Sequence, residues 1–194
     1  LCRSSAASDV YKRQLKNIKS DQLGSMVIKE VLKKSKFTGD EIDEVIMGQV
    51  LTAGAGQNPA RQAAVNAGIP ISKPSHIINQ VCGSGLRAVI SGYQSIKLGE
   101  SNNIISGGQE SMSLAPHSIF YRDEKKISED RLLDTMVNDG LIDAFNNYHM
   151  GVTAENVAKK FNISRQEQDE FALNSQKKTE LAIANNKFNE ELVK

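Results

Sequence analysis

The residues best suited to covalent chemistry lie in the run Gln80-Val81-Cys82-Gly83-Ser84-Gly85. A thiol reacts as its thiolate, and the free N–H groups at a helix N-terminus stabilise that anion. Flanking glycines let backbone amides approach an oxyanion formed on an attacked thioester. Cys82 is therefore a candidate nucleophile, with Gly83 and Gly85 as turn and oxyanion residues. Two other readings compete. A free cysteine is commonly a small, buried apolar residue. The segment Gly83-Ser84-Gly85-Leu86-Arg87-Ala88 also fits the Gly-x-Gly-x-x-Gly/Ala dinucleotide fingerprint. That fingerprint needs an acidic residue at the end of the following strand, about 20 residues on. Glu100 precedes that strand and Glu110 trails it after Gly107-Gly108-Gln109, so a nicotinamide dehydrogenase is disfavoured. Glu110 instead reads as a buried carboxylate tying down backbone amides.

A thiol in such a turn needs elements on both sides to aim it. His76 to Val81 reads as a strand, Cys82 to Gly85 as a turn and Leu86 to Leu98 as a largely apolar helix. Upstream, Leu23, Met26, Val27, Val31 and Leu32 recur at helical spacing, with Ser20 or Asp21 as N-cap and Lys33, Lys34 and Lys36 near the C-terminus. Val45 to Leu51 is a short apolar run expected of a strand buried on both faces. Asn58 as cap and Pro59 at the first position open a small-residue helix carrying Ala60, Ala63, Ala64 and Ala67, which Gly68 closes. Asn103 to Ser106 gives a further strand ending in Gly107-Gly108. Strand, helix, strand in this order predicts a parallel α/β sheet.

The boundaries that follow are a core domain over 15–115 and a loop-rich subdomain over 116–194. In the second, Thr153 is the expected cap of a helix over Ala154 to Phe161. Ser164 with Glu167 forms a capping box for a long helix whose Phe171, Ala172, Ser175, Ala182 and Ile183 share a face. Leu1 to Gln14 shows no usable periodicity and is expected to be non-native.

Composition narrows the function classes. The 194 residues carry a formal charge of +1, with Lys and Arg scattered rather than clustered, so nucleic acid and anionic membrane are not expected partners. No apolar stretch reaches the roughly 20 residues needed to cross a bilayer, which makes the cytoplasm or an organelle matrix the expected location. With two cysteines, one of them Cys2 in the doubtful segment, neither a disulfide framework nor a zinc site can be built, and no metal is expected.

Longer motifs add a family resemblance running from about Leu23 to Lys194. They are Val45-Ile46-Met47-Gly48-Gln49-Val50-Leu51, Gly56-Gln57-Asn58-Pro59-Ala60-Arg61-Gln62-Ala63-Ala64, Asn79-Gln80-Val81-Cys82-Gly83-Ser84-Gly85-Leu86 and Gly107-Gly108-Gln109-Glu110-Ser111-Met112-Ser113. Asp134-Thr135-Met136, Asp139-Gly140-Leu141 and Tyr148-His149-Met150-Gly151 follow in order. The chain resembles the N-terminal part of the thiolase family, in its acetoacetyl-CoA branch.

The resemblance implies a layered αβαβα fold, of which this is the N-terminal half with a partial loop subdomain. It implies acylation of Cys82 by a thioester, a CoA and acyl pocket bordered by Leu141, His149 and Met150, and a pocket-edge role for Gln57. Coenzyme A thioesters are then substrates, with no separate cofactor, and the complete protein is expected to be a homodimer or homotetramer. A broader-chain 3-ketoacyl-CoA thiolase and a non-catalytic acyl-CoA-binding relative are the alternatives. In the family, a Cys-x-Gly-Gly-Gly cysteine acts as base and a Gly-His-Pro histidine activates the nucleophile. Neither motif occurs here, so the chain alone is expected to be inactive.

Overall fold

Strand β1, Glu44–Gly48, is apolar on both faces, and a strand of that kind is stable only between two layers. The computed structural model describes residues 15–122 and 132–193, and in it Val45, Ile46, Met47 and Gly48 are all buried. β1 pairs in parallel with β2, Ser75–Ile78, and with β3, Ile104–Gly108, in the order β2-β1-β3. Side chains alternate across a strand. Val45 and Met47 therefore join Ile105 on one face, where they meet Ile28 of α1 (Ser20–Ser35) and Ala60, Ala63 and Ala64 of α2 (Pro59–Asn66). The alanines have no bulk to hold α2 away from α1.

Ile46 and Gly48 turn to the other face, against α3 (Ser84–Leu98). A Cβ placed on Gly48 would strike the Gly85 nitrogen and the Ser84 carbonyl carbon and lie 2.6 Å from the Ser84 oxygen. Further along α3, a Cβ on Gly92 would come within 3.2 Å of the Ile104 and Ser106 side chains. Helices thus cover both faces of a parallel sheet, the α/β order expected from the sequence.

Tertiary partners moved several element ends. α1 is capped by Lys19, whose N–H is accepted by Gln22 Oε1 at 3.1 Å, rather than by Ser20 or Asp21. The Ser20 hydroxyl is engaged elsewhere, accepting from the buried Gln49 Nε2 at 3.1 Å. β1 stops at Gly48, three residues short of Leu51, because the Val50 and Leu51 amides donate to the Glu110 carboxylate at 2.9 and 3.3 Å. β2 stops at Ile78, level with the last residue of β1, and α3 starts at Ser84, ahead of Leu86. Asn58 caps α2 as expected, its side-chain oxygen accepting from the Arg61 amide at 3.1 Å.

After β3 the first compact unit, which ends at Gly140, adds β4 (His117–Ser118), antiparallel to β5 (Leu133–Asp134), and α4 (Thr135–Gly140). The second unit, 141–192, holds α5 (Met150–Lys160) and α6 (Arg165–Ala184). His149, not Thr153, caps α5; Thr153 lies inside the helix with its hydroxyl buried and without a hydrogen bond. Ser164 and Glu167 form the expected capping box, with Ser164 N donating to Glu167 Oε2 at 2.7 Å and Glu167 N to Ser164 Oγ at 3.2 Å. α6 buries none of its residues, and Phe171 is 78% exposed. Among the described residues no helix is long and apolar enough to cross a membrane. The segment Leu1 to Gln14, expected to be non-native, lies outside the described residues.

Burial holds the Glu110 carboxyl above its ordinary value of 4.5, against the opposing pull of the Val50, Leu51 and Ser111 amides. A carboxyl raised in the folded state contributes stability that is complete below that ordinary value and lost as pH rises through the folded one. Glu110→Gln is expected to flatten this decline in urea denaturation measured against pH; an unchanged profile would contradict the assignment. Glu110→Ala leaves two strand-end amides unpaired and is expected to cost about 1–3 kcal/mol in the same measurement. Gly48→Ala forces a methyl group against the backbone of α3 and is expected to cost about 1–3 kcal/mol. Gly107→Ala, with nothing within 4 Å of the added carbon, serves as the control and should stay within about 0.5 kcal/mol.

Candidate active site

Between Ile78 and Ser84 the chain leaves β2 and enters α3 through a turn closed almost entirely by its own atoms. Asn79 Oδ1 accepts from the Val81 amide at 3.0 Å. Ser84 Oγ accepts from the Gln80 amide at 2.8 Å and donates to the Val81 carbonyl at 2.6 Å. The Gly83 amide donates to the Gln80 carbonyl at 3.0 Å and the Ser84 amide to the Val81 carbonyl at 3.1 Å. Cys82, at the head of this turn, is a free and exposed thiol, so it does not serve as a small core residue.

The glycines differ from expectation in what they do. Gly83 has φ −85°, which any residue adopts, and its N–H closes the turn instead of facing outward as an oxyanion donor. A Cβ on Gly85 would sit 3.8 Å from Gly108 Cα, an ordinary contact, and the close approach lies at its nitrogen, which occupies the space a Cβ on Gly48 would need. The residue in the left-handed region is Val81, at φ +48°. A β-branched residue there is a genuine outlier, and no sequence signal announces it. Ser84 is 4% exposed and also escaped the sequence reading; a hydroxyl at a turn-to-helix junction was the available signal. Leu86, Ile90 and Tyr93, on one face of α3, continue from this turn as exposed apolar side chains.

In the second unit, three of the residues singled out by the sequence come together in a short hairpin. The Met150 amide donates to the Leu141 carbonyl at 2.8 Å, and Ile142 bridges His149 in antiparallel fashion. The Asp143 carboxylate stabilises the tip, accepting from the Phe145 and Asn146 amides at 2.8 and 2.9 Å. Those bonds, first the ones from Asn146, hold its carboxyl below the usual range. His149 Nδ1 accepts from the Gly151 amide at 3.0 Å, which places the proton of the neutral ring on Nε2 and leaves that atom as a donor. The hairpin thus presents an exposed imidazole donor beside a half-buried Leu141 and the exposed Met150 side chain.

Gln57 stands exposed on the loop before α2, its carbonyl accepting from Gln62 Nε2 at 2.9 Å. One hollow of the first unit is lined by Lys19, Asp21, Leu51, Gly54, Ser111 and Pro116, and another by Val27, Met47, Val89 and Ile104; neither Cys82 nor Gln57 lines them. Among the described residues no group of three or more His, Cys, Asp or Glu could hold a metal ion. Cys82 is thus an exposed thiol in a tightly closed turn of the first unit.

Known proteins share this architecture. Residues 3–194 match the model of the thiolase N-terminal domain. An acetyl-CoA acetyltransferase of Rhizobium meliloti is 52% identical over 177 residues, covering 91% of this chain and 45% of the relative. A cytosolic acetyl-CoA acetyltransferase of Rattus norvegicus is 50% identical, covering 94% and 46%. The crystal structure of Acat5 thiolase from Ascaris suum, in complex with coenzyme A, superposes with a TM-score of 0.88 at 36% identity, covering 94% of this chain and 48% of that one. The chain spans about half the length of the curated relatives it matches. With a parallel α/β core, a cysteine at the head of its third helix and a family match over nearly every residue, this chain belongs to the thiolase family and carries its N-terminal domain.

Proposed function

We propose that Cys82 is the acyl acceptor of an acetyl-CoA C-acetyltransferase, which joins two acetyl-CoA molecules into acetoacetyl-CoA and free CoA or runs the reverse thiolysis. The observation that carries the reading is the exposed thiol in the turn that leads into α3, within a chain about half identical to enzymes of that name. The Cys82 sulfur attacks the thioester carbonyl, the bond to the CoA sulfur breaks, and CoA departs as its thiol, leaving an acetyl thioester on Cys82. A base then takes a methyl proton from a second acetyl-CoA, and the carbanion displaces the Cys82 thiolate from the acetyl group.

His149 Nε2 supplies a donor suited to a thioester oxygen or a polar group of CoA, while Leu141 and Met150 offer apolar surface for the acyl chain. Gln57 is assigned a pocket-edge role, and Gly85 a place in the cysteine turn. Coenzyme A thioesters are substrates here and no cofactor or metal enters the reaction. A homodimer or homotetramer in the cytoplasm, or in the mitochondrial matrix of a eukaryote, is the assembly and location that accompany this reading.

Incubating the full-length gene product with labelled acetyl-CoA and mapping the label by mass spectrometry is expected to place one acetyl group on the peptide containing Cys82. Cys82→Ala should remove the label and lower turnover by at least about 10³-fold. Label on another residue, or none at all, would sink the proposal. The 194-residue chain by itself is expected to form no acetoacetyl-CoA, since the family's base and activating histidine motifs are not in it.

A further inference from the structure

Ser84 is nearly fully buried, yet its side chain does not cap its own helix; its hydroxyl reaches back across the turn to Gln80 and Val81. That places a polar side chain, donating one hydrogen bond and accepting another, inside the turn that carries Cys82. What it holds is an unfavourable conformation. Val81 sits at φ +48°, where its branched Cβ crowds the backbone, and its amide and carbonyl are tied by Asn79 and Ser84. Rotation of Val81 to an ordinary negative φ would swing the following residue, Cys82, away from its present direction. On the other side the turn cannot sink, because Gly48 leaves no space between β1 and the backbone of Ser84 and Gly85.

We infer that Ser84 is a positioning residue: through its bonds to Gln80 and Val81 it keeps Val81 left-handed and so aims the Cys82 thiol. It touches no substrate. The role rests on Cys82 being the acyl acceptor proposed above, since aim matters only if the sulfur must meet a carbonyl along one line. Small errors of aim are costly, and a displacement of about 1 Å can lower a rate by about 10²-fold.

The experiment uses the full-length protein with 13C-labelled valine, reading the Val81 Cα and Cβ shifts, which report its backbone conformation, together with kcat and KM for acetyl-CoA. Ser84→Ala is expected to move the Val81 shifts out of the left-handed range and to lower kcat roughly ten- to hundredfold with little change in KM. Ser84→Thr, which keeps the hydroxyl, should hold both near the wild-type values. Ser84→Ala combined with Val81→Gly should recover most of the lost rate, because glycine adopts a positive φ without strain. Asn79→Ala, at an exposed position, provides a milder loss of the same kind, again recovered by Val81→Gly, should Ser84→Ala not fold. Unchanged shifts or an unchanged kcat in Ser84→Ala would overturn the inference, as would a folded variant whose loss glycine at position 81 does not restore. If wild-type Cys82 takes no acetyl group, the proposed function falls, and the Val81 shifts alone decide whether Ser84 holds the turn.

Discussion

The close approach of α3 to the sheet at Gly48 is the constraint on which the rest of this structure depends. The last residue of β1 carries no side chain, and the backbone of Ser84 and Gly85 occupies the space a Cβ would fill. Because the helix begins directly on the strand, the turn before it has no slack. Its amides and carbonyls must be satisfied within the turn, which the Asn79 and Ser84 side chains and the Gly83 amide accomplish. The strained Val81 is a consequence of compressing the strand-to-helix reversal into so few residues. The exposed Cys82 is the other.

A second set of interactions ties down the ends of β1 and β3 from the opposite side. Gln49, 1% exposed, donates to Ser20 Oγ and to the Leu51 carbonyl and accepts from Gln109 Nε2 at 2.9 Å. Glu110 takes the amides of Val50 and Leu51, and the Gln109 amide donates to the Gly48 carbonyl at 3.0 Å. These side chains take over the backbone groups that a longer strand would have paired with a neighbour. They explain why an apolar run reaching Leu51 yields a strand that ends at Gly48. They also hold the Gly48 seat in place, so the polar network and the steric contact act on the same residue.

Much of this was legible in the residues themselves. The two-sided apolar run of β1, the Asn58-Pro59 start of α2, the small-residue face of α2 and the Ser164 capping box each state their own local geometry. Glu110, read as a carboxylate bound to amides, holds that role. Where the reading failed, another residue had taken the role. Ser20 looks like a cap but its hydroxyl serves Gln49, 29 residues away, and Thr153 looks like a cap although His149 fills that position. Gly83 looks like the permissive residue of the cysteine turn, while Val81 takes the positive φ.

What the sequence by itself determined is the order of elements, the parallel α/β class and the family. Each rests on local periodicity or on a contiguous motif, which survives in one dimension. Only the tertiary structure decided how the thiol is held: which glycine marks the closest backbone approach, which residue bears the strain and which hydroxyl restrains it. Gly48 and Gly85 are 37 positions apart and meet because a strand and a helix pack without a side chain between them. A contact of that kind has no periodicity to read, since it follows from the space left when two elements are pressed together.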